Sequence, residues 1–517
     1  MVKKISTLAL VGLLALPAMA SAGAGGAAAT ADVQAQVDAL TKQLNALKAQ
    51  MADIKTTQDQ KFESFDEKAE KWDLASRIQL SGDFRSRGDY YTRDRRVSNV
   101  AMFTAPGAPI AYTEVTDTNN SMMTNRFRLD MRAKALENVE FKGRLAMYKA
   151  WGMQSTPDSD GNAPIGAFPA FDGNATRTPG DSALQVDRAF VNWNNIGDSP
   201  VWFSVGRRPT TDGPAAQLRM GQDERMATPT AFMDWPFDGI SAGYAYNNLF
   251  GMQDAPGRVR ICYGRGFEAG LNQDQSATAS GGINDTDFIG VSWDVYKKGN
   301  RFAYLQSFAA MDVFSYPDFS DSLTAMGMEA MMGARYNMGN IYHTSGVYQD
   351  KYENLNYFLT AAWSRTDPNT NGMLNDWTSG AANTDKENGY SVHLGVRYDI
   401  PDSLFKIGAE YNHGSKYWIA MTPGHDDVYA SKLATRGNVY ELYTIYDIPG
   451  GEAVSKFGKA FIRLGYQHYD YDFTGSMDWT TMPYDVNDDA EAWKANFAGQ
   501  DIIDSADQVY LTFEAQF

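Results

Sequence analysis

Arginines at every second position are the residues of this chain best placed to do chemistry. In residues 125–135, NRFRLDMRAKA, a strand would carry Arg126, Arg128, Asp130, Arg132 and Lys134 on one face. Phe127, Leu129, Met131, Ala133 and Ala135 would fall on the other. Residues 78–87 repeat the pattern, with Ile78, Leu80, Gly82 and Phe84 opposite Gln79, Asp83, Arg85 and Arg87. With Arg144 these make a candidate basic wall of Arg85, Arg87, Arg126, Arg128, Arg132 and Arg144. The planar guanidinium fork matches carboxylate, phosphate and sulfate, so such a wall suits anions. The alternative is structural: Asp83, Asp130 and Glu140 lie in the same segments and could pair with these arginines as wall braces.

A second charged group gathers in the connection 208–236. Arg207, Arg208, Asp212, Arg219, Asp223, Glu224 and Arg225 lie in it or beside it. Opposed arginines and carboxylates across a narrow passage set up a transverse field that orients polar solutes. Catalytic patterns are absent. The histidines His343, His393, His413, His425 and His468 show no HExxH spacing and no CxxCH occurs, while the one GxSxG string, at residues 239–243, falls inside an expected strand and not on a strand-to-helix elbow. No catalytic residue, metal site or cofactor is expected. Cys262 is the single cysteine, so no internal disulfide can form.

The elements that position these residues follow from the cost of misplacing charge. A basic residue facing lipid at mid-membrane costs ~2–4 kcal/mol, so the charged faces must turn to a lumen and the apolar faces outward. Alternation places eight strands near 77–92, 124–135, 138–151, 184–194, 200–207, 238–247, 257–266 and 287–296. Eight more are expected near 300–314, 326–339, 355–366, 389–399, 404–415, 437–448, 457–473 and 506–517. Short joins at Glu137-Asn138, 297–300 and Pro401-Asp402 alternate with long ones near 93–123, 152–183, 208–236 and 474–505. That is the rhythm of a membrane barrel with short turns on one side and long loops on the other. The fold class expected is therefore all-β, a transmembrane antiparallel β-barrel of about 16 strands over residues 76–517. No stretch approaches the ~18–20 apolar residues of a membrane helix.

The two ends supply further signals. Residues 1–22 read as a signal peptide: Lys3 and Lys4, an apolar segment, Pro17, then small residues at Ala20 and Ala22. In residues 23–75, Val33, Val37, Leu40, Leu44, Leu47, Met51 and Ile54 recur at alternating spacings of 4 and 3. Such a heptad seam cannot bury itself on one helix and predicts an α-helical coiled coil that self-associates, the alternative being an amphipathic helix docked on the barrel's own periplasmic rim. The closing QVYLTFEAQF sets Val509, Leu511, Phe513 and Phe517 on one face and ends on an aromatic residue. This resembles the C-terminal signal of Gram-negative outer-membrane barrels, which implies recognition by the barrel-assembly machinery.

The formal charge is -17, with -1 in residues 1–74, +2 in 75–265 and -18 in 266–517. Acidity of that size argues against nucleic acid. Asp376, Asp385, Glu387, Asp426, Asp427, Asp485, Asp488 and Asp489 are expected in loops facing the outside medium.

LSGDFRSR (80–87), VDRAFVNW (186–193), VGRRPTTDGP (205–214) and WPFDGI (235–240) carry a resemblance to Gram-negative porins with a periplasmic coiled coil. More narrowly, they resemble a family of outer-membrane barrel proteins of unknown function. The resemblance implies the outer membrane with a periplasmic N-terminus, contact with lipid and lipopolysaccharide, a homotrimer and a pore. Passive diffusion of small hydrophilic solutes or ions, preferring anions, is the function expected. The alternative is an envelope tether or adhesin with a plugged barrel and a peptidoglycan contact, or the sheath of an electron-transfer conduit.

Overall fold

The computed structural model describes residues 35, 37–52, 55, 77–98, 112–152, 179–208, 213, 215–220, 233, 235–269, 283–315, 336–376, 378–422, 427, 430–450, 458–497 and 502–517. The chain divides into two units, Met1–Ser76 and Arg77–Phe517. In the first, residues 37–52 are helical. Val37, Leu40, Leu44, Leu47 and Met51 stand exposed along it. Val33, Ile54 and the expected signal peptide lie outside the described residues.

The second unit is a closed antiparallel barrel of 16 strands in sequence order, with the last strand paired to the first. Its first strands are β1 (Ile78–Ser98), β2 (Tyr112–Leu136), β3 (Val139–Ala150), β4 (Gln185–Trp193), β5 (Val201–Arg208) and β6 (Phe237–Leu249). There follow β7 (Met252–Phe267), β8 (Thr286–Lys298), β9 (Arg301–Phe314), β10 (Asn337–Tyr352) and β11 (Leu355–Pro368). The circuit closes with β12 (Asn388–Asp399), β13 (Phe405–Gly414), β14 (Gly437–Ile448), β15 (Lys459–Tyr471) and β16 (Ile502–Gln516).

Closure satisfies every strand edge, which a membrane-spanning sheet requires. Alternation decides what each face meets. Leu80, Ile261, Leu442, Leu464 and Leu511 project outward and are exposed, whereas Arg87, Arg463, Gln467, Gln508 and Thr512 project inward and are buried. The barrel is thus apolar outside and polar inside. At the C-terminus Val509, Leu511, Phe513 and Phe517 lie on the exposed face. Short turns join the strands at one end: Gly299, at φ +56°, takes the left-handed conformation between β8 and β9.

Two expectations about elements need correction. The tenth strand runs from Asn337 to Tyr352 instead of over 326–339. Its inner face carries Ile341 and Val347, both buried, while Tyr342, Thr344 and Tyr348 face out. Ile341 is covered there by the apolar cluster of the loop end and Val347 by Phe302 and Tyr304 of β9, so a rule reading apolar as outward misplaces the strand. The long first loop expected at 93–123 is mostly strand. β1 and β2 continue their pairing from Asp89 to Ser98 beyond an irregularity at Asp89/Tyr91, and β16 accompanies β1 as far as Arg96.

Candidate functional site

Barrel interiors acquire function from what projects into them, and here that includes backbone as well as side chains. Between β5 and β6 the chain turns inward, and a single 3-10 turn at Ala216–Leu218 is seated inside the barrel. Its fixings are all on the opposite wall. Arg397 on β12 donates to the Leu218 carbonyl at 3.1 Å, and Arg463 on β15 donates to the Arg219 carbonyl at 2.6 Å. Gln217 bonds Gln349 of β10 at 2.5 Å. Met220 packs on Tyr443, Ile445 and Phe461, and Leu218 packs near Phe358. Carbonyls of an irregular loop buried away from water need donors, and buried arginines on neighbouring strands supply them.

The Arg219 side chain then enters a buried charge cluster. It pairs with Asp427 at 2.9 Å and Glu441 at 3.1 Å. Lys432, on the β13–β14 connection, lies between Glu410 and Glu441, with Glu441 at 2.6 Å. His393 contacts Glu410 at 3.1 Å, and Gln467 bonds both Asp427 and Glu441. Two cations facing three carboxylates keep a desolvated group of ions close to neutral, without which burial would be prohibitive.

On β1 to β3 the expected basic wall is present and braced. Arg85, Arg87, Arg126, Arg128 and Arg144 are buried on the inner face. Arg128 donates to Asp83 at 2.7 Å, Arg126 reaches Asp83 at 3.2 Å and Glu514 at 3.4 Å, and Arg87 bonds Asp89 at 2.9 Å. Arg144 meets Asp130 at 2.8 Å, Arg132 meets Glu140 at 2.6 Å, and Arg85 donates to the Tyr148 hydroxyl at 2.9 Å. Tyr510 joins this wall to the loop-binding wall. The Arg87 guanidinium lies 4.3 Å from its ring and Arg463 5.3 Å.

At the loop end an apolar cluster packs on the inner wall. Met233 and Trp235 before β6, Met373, residues 418–421, Leu433 and Trp479 pack against Phe237, Phe288, Phe308, Val313, Phe314 and Ile341 of the wall. Trp235, Trp418 and Trp479 are fully buried. The Trp418 and Trp479 indoles donate to the carbonyls of Leu433 and Phe314, each at 2.8 Å. Arg436 ties two of these loops together, donating to the carbonyls of Trp418, Thr474 and Asp478. Burial lowers the Arg436 guanidinium to about 10 and pushes the Asp478 carboxyl up to about 6.

Several expected positions come out differently. Strand register puts Arg207 opposite Asp238, on the face of exposed Val205 and Ile240, while Arg208 takes the lumen face with Phe237. Asp427, expected in the outside medium, is buried on Arg219 because its loop folds inward. Asp212, Asp223, Glu224 and Arg225 lie outside the described residues. Arg397, Arg463, Lys432, Glu410 and Glu441 were not anticipated. Inward parity was readable for those on strands, but nothing local marks a partner more than a hundred residues away.

Solved outer-membrane proteins resemble the chain at the level of the barrel. OmpT of Vibrio cholerae is 10% identical over 85% of this chain and 97% of that one, with a TM-score of 0.39. OmpF of Salmonella typhi, in complex with daunomycin, is 9% identical over 85% and 97%, with a TM-score of 0.38. OprB of Pseudomonas putida is 10% identical over 86% and 95%, with a TM-score of 0.40. No curated protein matches the chain. A family profile matches residues 116–517, which include β2 through β16 almost entire, and the chain belongs to that family, described as a protein of unknown function (DUF3373).

Proposed function

We propose that the protein is an outer-membrane channel for passive diffusion of small hydrophilic solutes, with a preference for anions and an aperture set by the inward-folded loops. The observation that carries this reading is the 215–220 segment fixed inside the barrel by Arg397 and Arg463. A 16-strand barrel is wide enough for water, so narrowing it requires an inserted segment. Beside that segment the inner face of β1 to β3 carries Arg85, Arg87, Arg126, Arg128, Arg132 and Arg144, the anion-attracting side of the passage. The exposed apolar band of the barrel suits a lipid surround, and the exposed seam of residues 37–51 suits a periplasmic coiled coil in a homotrimer.

A second reading is favoured by the apolar cluster at the loop end: a plugged barrel acting as an envelope tether. Planar-bilayer conductance of the purified protein across a KCl gradient separates the two. Discrete steps with a reversal potential of anion-selective sign support the channel. Cation selectivity removes the arginine wall from the account. Silence from heat-modifiable, folded protein supports the plug.

A further inference from the structure

The inner faces of β5 to β9 enclose a second site, separate from the loop-bearing wall. A cavity of about 690 Å³, part of it open space, is lined by Arg208, Arg260, Cys262, Phe237, Phe288 and Phe308. Met233 stands at its border, and Ser292 and Gln306 add polar groups. Small residues hollow the wall at this point. A Cβ on Gly290 would meet Phe308 Cβ and the Ser307 carbonyl at 2.6 Å, and one on Gly264 would meet Phe237 at 3.0 Å. The rings therefore lie close against bare backbone, with Phe237 and Phe288 centroids 4.6 Å apart and Phe288 and Phe308 6.0 Å apart.

The charge at the rim contrasts with the rest of the barrel. Whereas Arg87, Arg126, Arg128, Arg132 and Arg144 of β1 to β3 are matched to carboxylates, no carboxylate among the described residues forms an ion pair with Arg208 or Arg260. The Arg208 Nε is buried without a hydrogen-bond partner. Its guanidinium stands 5.9 Å from the Trp202 ring. Arg260 is only 5% exposed. Asp294, across the sheet, is held by Arg258 at 2.5 Å. Arg260 is hydrogen-bonded to Tyr304 and lies in the field of Asp294, and Arg208 is hydrogen-bonded to Cys262; above the aromatic floor the two guanidinium groups form half of a recognition site.

We propose that this cavity binds a small amphipathic carboxylate, its carboxylate between Arg208 and Arg260 and its apolar body on Phe237, Phe288 and Phe308. The guanidinium forks supply the directional contacts, and the ring floor selects against fully hydrated anions. This binding does not depend on whether the barrel conducts.

Calorimetry of the full-length protein folded in detergent tests it, with benzoate as probe, benzyl alcohol as the uncharged match and acetate as the anion without a ring. Benzoate is expected to bind at least tenfold tighter than either, and Arg208→Gln or Arg260→Gln to weaken it at least tenfold. Cys262, the single cysteine, gives an independent readout. Benzoate should slow its reaction with a sulfonated methanethiosulfonate reagent, and benzyl alcohol should not. Equal affinity for all three probes, or no benzoate heat together with no protection of Cys262, overturns the assignment. The probe comparison uses the unaltered protein, so a substitution that fails to fold leaves it decisive.

Discussion

Arg463 and Arg219 are 244 positions apart, and the guanidinium of the first donates to the backbone carbonyl of the second at 2.6 Å. With the companion bond from Arg397 to Leu218, it converts an external connection into an internal partition. Hydrogen bonds from charged donors contribute ~1.5–3 kcal/mol each, so two of them can hold a short segment against its own entropy. Replacing both arginines by methionine should release residues 215–220. Single-channel conductance should rise severalfold with the barrel still heat-modifiable. Unchanged conductance would remove this segment as the aperture.

Lys432 is the keystone of the buried ions. Lys432→Met leaves Glu410 and Glu441 facing each other without their shared cation. Breaking a buried ion cluster on one side costs ~3–5 kcal/mol. A lower unfolding temperature in detergent is expected, and Glu441→Gln added to Lys432→Met should recover part of the loss. Equal stability of wild type and Lys432→Met would count against a desolvated cluster.

Asp478 gives the loop cluster a pH dependence of known sign. Burial raises its carboxyl from 3.8 to about 6. The proton is held more tightly in the folded state, so this stabilisation is full below pH ~4 and disappears as pH rises through about 6. The span corresponds to about 3 kcal/mol at most, at ~1.4 kcal/mol per unit. Its Oδ1 accepts from the Thr480 amide at 2.7 Å and the Thr481 amide at 3.2 Å, bonds that asparagine can keep. Asp478→Asn should flatten the stability profile between pH 4 and 7, and its largest gain over wild type should appear at the upper end. A profile of the same slope in both proteins would refute the assignment.

The helix of residues 37–52 leaves Leu40 64% and Met51 65% exposed. Removing residues 31–72 should convert a trimer, measured by light scattering in detergent, into monomers whose barrels still fold. A persisting trimer would transfer the assembly role to the barrel wall.

Much of this architecture was legible in the sequence. Period-two alternation is local, and the penalty for charge in lipid fixes its sense, so the facing of Arg126 or Leu129 needs no knowledge of distant residues. Where the rule failed, at β10, something inside the barrel had replaced water. Ile341 and Val347 face inward, and His343 between them stacks on Phe308 at 4.9 Å and meets the tilted Trp418 ring at 5.3 Å.

Local patterning sufficed for a closed sheet of about 16 strands, its apolar exterior and the inward facing of Arg85, Arg87, Arg126, Arg128 and Arg144, but not for the facing of Arg207. What the lumen holds depends on contacts that form once the barrel has closed. The seating of Leu218 and Arg219, the burial of Asp427 and Lys432, and the lack of an ion-pair partner for Arg208 among the described residues each depend on chain segments far apart in sequence. Strand facing is settled by each residue's neighbours and its solvent. Loop placement is settled by which distant donors reach the loop's carbonyls, and only the closed barrel brings those donors near.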